Sequence, residues 1–268
     1  MRIAISGTGH VGAWLAEELR HGNTIAVYDK VGERSRALEG LTVLSRPSEI
    51  RDFQPRLFIN AVSLVNTICA FEESVPYLPD NCIICDVASI KTGLPDYYRA
   101  SPLRFVSVHP MFGPTFARMD SLREESVVII NESDGEGAGF FKGFFTQLGL
   151  AIFEYSFQEH DRMMAYSLTL PFISSLVFAG CVDADTIPGT TFKRHMTIAK
   201  GLMSEDDGLL AEILFNDHSI GQIEKVTSRL EFLKHVIRDK DREELYFFFE
   251  KLRENISRER RYPPEPTP

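Results

Sequence analysis

Eight short apolar runs alternate with helix-period stretches over the first 155 residues, and then the strands stop. RIAIS, TIAVYD, LTVL, RLFINAV, CIICDVAS, RFVSVH, SVVIIN and AIFEY are brief, rich in Val and Ile, and bounded by turn residues, as strands are. Between several of them, VGAWLAEEL, NTICAFEESV and GAGFFKGFFTQL repeat apolar residues at helical spacing. Few folds accept that alternation: it calls for βαβ units, a mostly parallel sheet and helices on both faces. Residues 1–155 are therefore expected to form one doubly wound α/β domain.

From Ser156 onward the texture is helical. SFQEHDRMMAYSLTLPFISSLVFAGCV is long and largely apolar, with Ser156 and Asp161 as capping candidates and Pro171 predicting a kink. GLLAEILF, QIEKVTSRLEFLKHVIR and DREELYFFFEKLRENI follow. This composition predicts an all-α domain over 156–257. Its apolar helices must cover their surface, on each other and on a second subunit, so a homodimer is expected. The proline-rich, charged RERRYPPEPTP, residues 258–268, reads as a disordered tail.

Charge narrows the partners. With 38 acidic against 29 basic residues the net charge is -9, which argues against nucleic acid or an anionic membrane, both of which need a concentrated basic surface. An anionic small molecule remains open if local cations receive it. No signal-peptide pattern opens the chain and no run of about 20 apolar residues occurs, so a cytoplasmic protein is expected. The CxxC of Cys82 and Cys85 sits inside an apolar strand-like run with no second pair, and reads as two buried cysteines; no metal site is expected.

GTGHVG, residues 7–12, follows the first strand and opens a helix. Gly7 permits the tight turn, Gly9 lets the backbone approach a pyrophosphate, and Gly12 lets the helix sit close to the sheet; Thr8, His10 and Val11 complete the loop. The next strand ends in Asp29, where an acid can accept hydrogen bonds from a ribose. This is the signature of a Rossmann-type dinucleotide-binding domain. Asp29 would repel a 2′-phosphate and favours NAD, while Lys30 and Arg34 keep NADP open. Asn60, Ala61 and Val62, at the end of the fourth strand, join the cofactor edge.

Ligands of an open parallel sheet bind beyond the carboxyl ends of its strands. DVASIK and SVHPMFGP reach that edge too, which brings His109 toward the nicotinamide region, with Ser89 and Lys91 placed to touch the same pocket. Pro110 fixes a torsion and Gly113 permits a bend, so a loop is expected to hold the imidazole still. Hydride removal from a carbinol carbon needs a base for the hydroxyl proton, and histidine, with a reference pKa of about 6.5, suits that work. EHD, at 159–161, is read as helix capping and domain-junction contact and is left off the catalytic list.

GTGHVG, DVASIK, HPMFGP, EHDRMMAY and the helical second half together resemble the prephenate dehydrogenase family. The resemblance implies NAD-linked oxidation of the C4 hydroxyl of prephenate with loss of its ring carboxylate, giving 4-hydroxyphenylpyruvate for tyrosine synthesis. It implies His109 as the base and Ser89 as the residue that orients it. It also implies a substrate-carboxylate ligand in the helical half, where GTTFKRHMTIAKGL offers Lys193 or Arg194, with His195 and Lys200 behind them. Two departures stand out. SLTLPF carries Thr169 and Phe172 where many relatives have histidine, and Thr115 to Arg118 follow HPMFGP without the acid that many relatives carry there. Thr115 is the candidate contact at that place. The missing acid, which would suit the ammonium of arogenate, favours prephenate; arogenate dehydrogenase and a non-catalytic NAD-binding sensor are the alternatives.

Overall fold

The structure is a computed structural model that describes residues 1–36, 38, 40–112, 122–123, 125–183 and 187–257. The expected tail, 258–268, lies outside the described residues, as do Gly113 and Thr115.

All eight expected strands form. The first half runs β1 (Arg2–Ser6), α1 (His10–Leu19), β2 (Thr24–Tyr28), α2 (Gly32–Arg36), β3 (Thr42–Val43), α3 (Ile50–Phe53), β4 (Leu57–Asn60), α4 (Thr67–Ser74), β5 (Ile83–Asp86), α5 (Leu94–Ala100), β6 (Arg104–Pro110), β7 (Ser126–Ile130), α6 (Gly135–Leu148) and β8 (Ala151–Tyr155). They make one sheet in the order β3-β2-β1-β4-β5-β6-β7-β8. The pairs from β3 through β6 are parallel; β7 then enters antiparallel to β6, and β8 lies parallel to β7. β4 and β5 are buried at every position because both faces are covered, which explains why each is apolar up to its last residue, Asn60 or Asp86. One apolar layer, with Leu15, Leu19, Phe141 and Phe145, packs α1 and α6 on one face. The other, with Ile50, Phe71, Leu94 and Tyr98, packs α3, α4 and α5 on the opposite face. Cys82 and Cys85 are buried and free, as the sequence implied; burial raises the Cys82 thiol to about 12 and the Cys85 thiol well above its ordinary value.

The second half is helical at its described residues: α7 (Phe157–Met164), a wide π segment (Ala165–Thr169), α8 (Leu170–Gly180), α9 (Thr190–Leu202), α10 (Asp207–Leu214), α11 (Ser219–Asp239) and α12 (Arg242–Ser257). Ser156 caps α7 in a capping box: its hydroxyl accepts from the Glu159 N–H, and the Glu159 carboxylate accepts from the Ser156 N–H. Asp161, the other capping candidate, is inside the helix. The kink expected at Pro171 takes the form of the π segment immediately before it, a turn wide enough to absorb a residue that has no N–H to give. Thr169, in that segment, bonds to the Ser219 hydroxyl at 2.8 Å and the Ile213 carbonyl at 3.3 Å, so it ties the wide turn to α10 and α11.

A third, smaller cluster of Ile90, Met164 and Ile213, flanked by Leu64, Met111 and Leu209, joins the loops after β4, β5 and β6 to α7 and α10. It seats the helical half on the carboxyl edge of the sheet, where the site residues end. The continuous helix Phe157–Gly180 is long and apolar enough by composition to cross a bilayer, with mean hydropathy 1.5 over a stretch of which only 17% is buried. Its first turns are nevertheless locked into the domain junction through His160 and Asp161.

Candidate active site

The strand order reverses between β1 and β4, and the glycine loop stands at that crevice. Gly7 has φ +88°, and a Cβ there would lie 2.6 Å from the Ala61 carbonyl oxygen. A Cβ on Gly12 would fall 1.9 Å from the Gly7 oxygen, so only glycine lets α1 fold back on the loop. Gly9 differs: a Cβ there would meet nothing within 4 Å. The protein leaves Gly9 open, which is the space a pyrophosphate would use at a helix N-terminus.

Asp29 stands beside the loop as expected, but its carboxylate is already at work. Oδ2 accepts from the Thr8 N–H at 2.7 Å and the Thr8 hydroxyl at 3.1 Å, and Oδ1 accepts from the Val31 N–H at 2.8 Å. Oδ1 retains an acceptor position, so Asp29 can both brace the loop and meet a ribose hydroxyl. Lys30 is paired with Glu73 at 2.9 Å, which turns it away from a 2′-phosphate; the Arg34 side chain lies outside what the structure describes. Asn60 is buried and holds the turn after β4, its amide donating to the Thr67 carbonyl at 2.8 Å. Its side chain therefore shapes the cofactor edge from behind, while Ala61 and Val62 are half-buried along it and His10 is exposed at the start of α1.

His109 lies in β6, as the run RFVSVH implied, and the strand continues through Pro110, which the sequence placed in a loop. His109 pairs with Val128 of β7 and Pro110 with Val127, so an antiparallel neighbour fixes this backbone. The imidazole is 5% exposed. Its Nδ1 lies 3.0 Å from Nε2 of the fully buried His160, and His160 Nδ1 lies 2.9 Å from Asp161 Oδ1. Burial, then His160 and Lys91, hold His109 well below the ordinary histidine range; burial also lowers His160, against the opposing pull of Asp161. Both rings are thus neutral at neutral pH, and among the described residues Nε2 is the nitrogen of His109 that this network leaves for a substrate.

Ser89 is half-buried on the loop after β5 and makes no hydrogen bond to His109 among the described residues; His160 occupies Nδ1 instead. Lys91 departs further from expectation. Its ammonium does not enter a substrate pocket but turns inward, fully buried, to Asp86 Oδ1 at 2.5 Å and the Val108 carbonyl at 2.8 Å. Tyr98 completes the group by donating to Asp86 Oδ2 at 2.7 Å. This cluster locks the end of β5 to the strand position just before His109. Above it, the Lys91 N–H donates to Asp161 Oδ1 at 3.0 Å and the Asn216 amide donates to the Asp161 carbonyl at 2.9 Å, so Asp161 is held from both domains.

The cations of α9 are not drawn into this cluster. Lys193, Arg194, His195 and Lys200 are exposed, α9 packs on α8, and His195 is occupied locally with the Thr191 carbonyl at 3.2 Å and the Phe178 ring. A cleft of about 690 Å³ borders Asp161, Lys91 and Tyr98 and continues to Asn216 and His218, without including His109, Ser89 or the glycine loop.

Sequence reasoning left His160 and Asp161 off the catalytic list because EHD at a helix start is explained by capping alone. Glu159 does serve the cap; the next two side chains do something else. Their only sequence signal was the adjacency of a His and an Asp on the first turns of an otherwise apolar helix.

Comparison with known proteins bears on this arrangement. The family model "Prephenate dehydrogenase, nucleotide-binding domain" matches residues 15–141. Over those residues the chain is similar to the nucleotide-binding domain of prephenate dehydrogenases. The match starts after the glycine loop and takes in β2 through β7. The T-protein of Enterobacter agglomerans is 24% identical over 154 residues, covering 54% of this chain, which spans only 40% of that protein. Among solved structures, prephenate dehydrogenase from A. aeolicus, in complex with hydroxyphenyl propionate and NAD+, superposes with a TM-score of 0.81 at 21% identity over 95% of this chain and 96% of that one. Synechocystis arogenate dehydrogenase gives 0.72 at 17% identity, over 95% and 98%. The prephenate dehydrogenase fold thus extends through the helical half as well.

Proposed function

We propose that this protein is an NAD-dependent prephenate dehydrogenase that oxidises and decarboxylates prephenate to 4-hydroxyphenylpyruvate. The observation that carries the reading is the neutral, buried imidazole of His109 at the carboxyl end of β6, with Nδ1 occupied by His160 and Nε2 left to act. A positioned base at the edge where a dinucleotide loop opens is what dehydrogenation of an alcohol requires.

NAD, when bound, supplies the hydride acceptor. The glycine loop and the first turn of α1 would hold its pyrophosphate, and Asp29 its ribose. His109 Nε2 takes the C4 hydroxyl proton as the carbinol hydrogen leaves as hydride and the bond to the ring carboxylate breaks, its electron pair entering the ring. The ring becomes a phenolate and the carboxylate leaves as carbon dioxide. His109 then returns its proton to the phenolate oxygen, which restores the free base without net proton release.

The resemblance supports Ser89 as a residue that orients the base, Thr115 as a substrate contact, and Lys193 or Arg194, with His195 behind them, as the ligand of a substrate carboxylate. The homodimer we infer would cover the exposed apolar residues of the helical half, among them Val177, Leu230, Ile237, Phe247 and Ile256. Burial of that face between subunits also accounts for the apolar Phe157–Gly180 helix in a cytoplasmic enzyme. The test is reduction of NAD+ with prephenate and with arogenate side by side. A higher kcat/KM with prephenate is expected; a clear preference for arogenate overturns the substrate, and no reduction with either overturns the reaction.

A further inference from the structure

The buried chain of polar atoms behind His109 has a direction. Asp161 is a carboxylate and, when ionised, can only accept, so the nitrogen facing it, His160 Nδ1, must carry a proton. A neutral His160 with its proton there presents a bare Nε2, and that atom can only accept from His109 Nδ1, 3.0 Å away. A neutral His109 with its proton on Nδ1 has its lone pair on Nε2. One carboxylate thus fixes the protonation pattern of two rings in series.

We propose that Asp161, acting through His160, sets the tautomer of His109 so that Nε2 is the base, and stabilises the positive charge that His109 acquires when it takes the substrate proton. Both are positioning residues, since neither touches the reacting atoms. The proposal rests on the dehydrogenase reading for its consequences, although the tautomer chain itself exists in the free protein.

Three features favour this role over simple junction packing. His160 is wholly buried in a region that could be apolar at lower cost, since a buried polar ring must find partners for both nitrogens. Asp161 is fixed by the Lys91 N–H on one side and through its backbone carbonyl by Asn216 on the other, so the carboxylate is preorganised rather than free to follow the ring. Among the described residues, the other charged groups near the rings are engaged elsewhere. Lys91 is directed at Asp86 and Val108, and Asp86 is engaged by Lys91, Tyr98 and the Ala88 N–H. From β7 the neighbour is Val128, which has no polar side chain.

The decisive experiment joins nitrogen NMR to kinetics. In wild-type protein labelled with ¹⁵N-histidine, His109 and His160 should both carry their proton on Nδ1. Asp161→Asn keeps an oxygen that can accept from the Lys91 N–H but removes the charge. It should lower kcat for nicotinamide reduction by about 10² to 10⁴, the range for losing a correctly poised base, while both KM values move less than about threefold. It should also mix or reverse the two tautomers. A merely structural role would raise KM or lower stability without changing the tautomers. A wild-type His109 protonated on Nε2, or an Asp161→Asn enzyme within about twofold of wild-type kcat, overturns the proposal; if the variant does not fold, the wild-type spectrum still decides. Absence of wild-type turnover with either substrate would instead overturn the dehydrogenase reading and leave the NMR result standing.

Discussion

Replacing Lys91 with Met tests what holds His109 in place from beneath. The side chains of Lys91 and Asp86 are both wholly inaccessible, and methionine can fill the volume of the lysine stem. What it cannot do is donate. Asp86 would keep the Tyr98 hydroxyl at 2.7 Å and the Ala88 N–H at 3.0 Å but lose its counter-charge, and the Val108 carbonyl would lose the 2.8 Å bond from the ammonium. Breaking a buried pair on one side costs about 3 to 5 kcal/mol, because the remaining charge is left desolvated. At about 2 to 4 °C per kcal/mol for a chain of this size, Tm should fall by roughly 6 to 20 °C in a thermal melt followed by circular dichroism. The double variant Lys91→Met with Asp86→Asn removes the stranded charge and should recover about half of the loss, a coupling read from a double-mutant cycle. A drop under about 3 °C in the single variant, or strictly additive effects in the double, would refute the argument that the pair is a mutually dependent buried unit.

His109→Asn should bind NAD with unchanged affinity, measured by isothermal titration, yet lose about 10² to 10⁴ in kcat; full activity would remove the ring from the mechanism. Gly9→Ala should fold with an unaltered Tm and lose cofactor affinity, because its methyl enters open space, whereas Gly12→Ala should lose stability as well, because its methyl meets the Gly7 carbonyl. Stability should also respond to pH through the two rings. His109 and His160 are held neutral below the pH at which unfolded histidines protonate, so the unfolded chain binds protons that the folded one refuses. Stability therefore falls as pH drops below about 6.5, by up to about 1.4 kcal/mol per pH unit for each ring. Urea melts between pH 7.5 and 5.5 should show His109→Asn losing less than wild type over that interval; parallel curves would contradict the assignment.

Much of the fold was legible because its causes are local. Eight apolar runs became eight strands, most plainly in the central β4 and β5, whose burial on both faces demands apolar residues up to the strand end, and the helical second half followed from helical spacing and from the Ser156 cap with Glu159 three residues on. The glycine loop was legible for a steric reason, as Gly7 and Gly12 occupy positions where any Cβ would strike backbone. The substrate edge was read less fully. His109 was found at its strand end, but the strand was read as giving way to a loop at Pro110, when β7 holds both residues by antiparallel pairing, a choice that alternation of strands and helices cannot reveal. Lys91 was read as facing a pocket because a lysine near an active edge normally seeks water; only the buried Asp86 five residues earlier reverses that preference.

What the residues alone determined, then, was the sheet, its dinucleotide loop and the strand end that carries the histidine, because periodicity and the absence of a side chain act on immediate neighbours. What the tertiary structure decided was the partner of that histidine. His160 lies 51 residues away along the chain and arrives at Nδ1 only because the third apolar cluster seats α7 across the carboxyl edge of the sheet. Hydrogen bonds between side chains depend on where rigid elements dock, and docking is set by the summed burial of many residues, none of which is the histidine or its carboxylate.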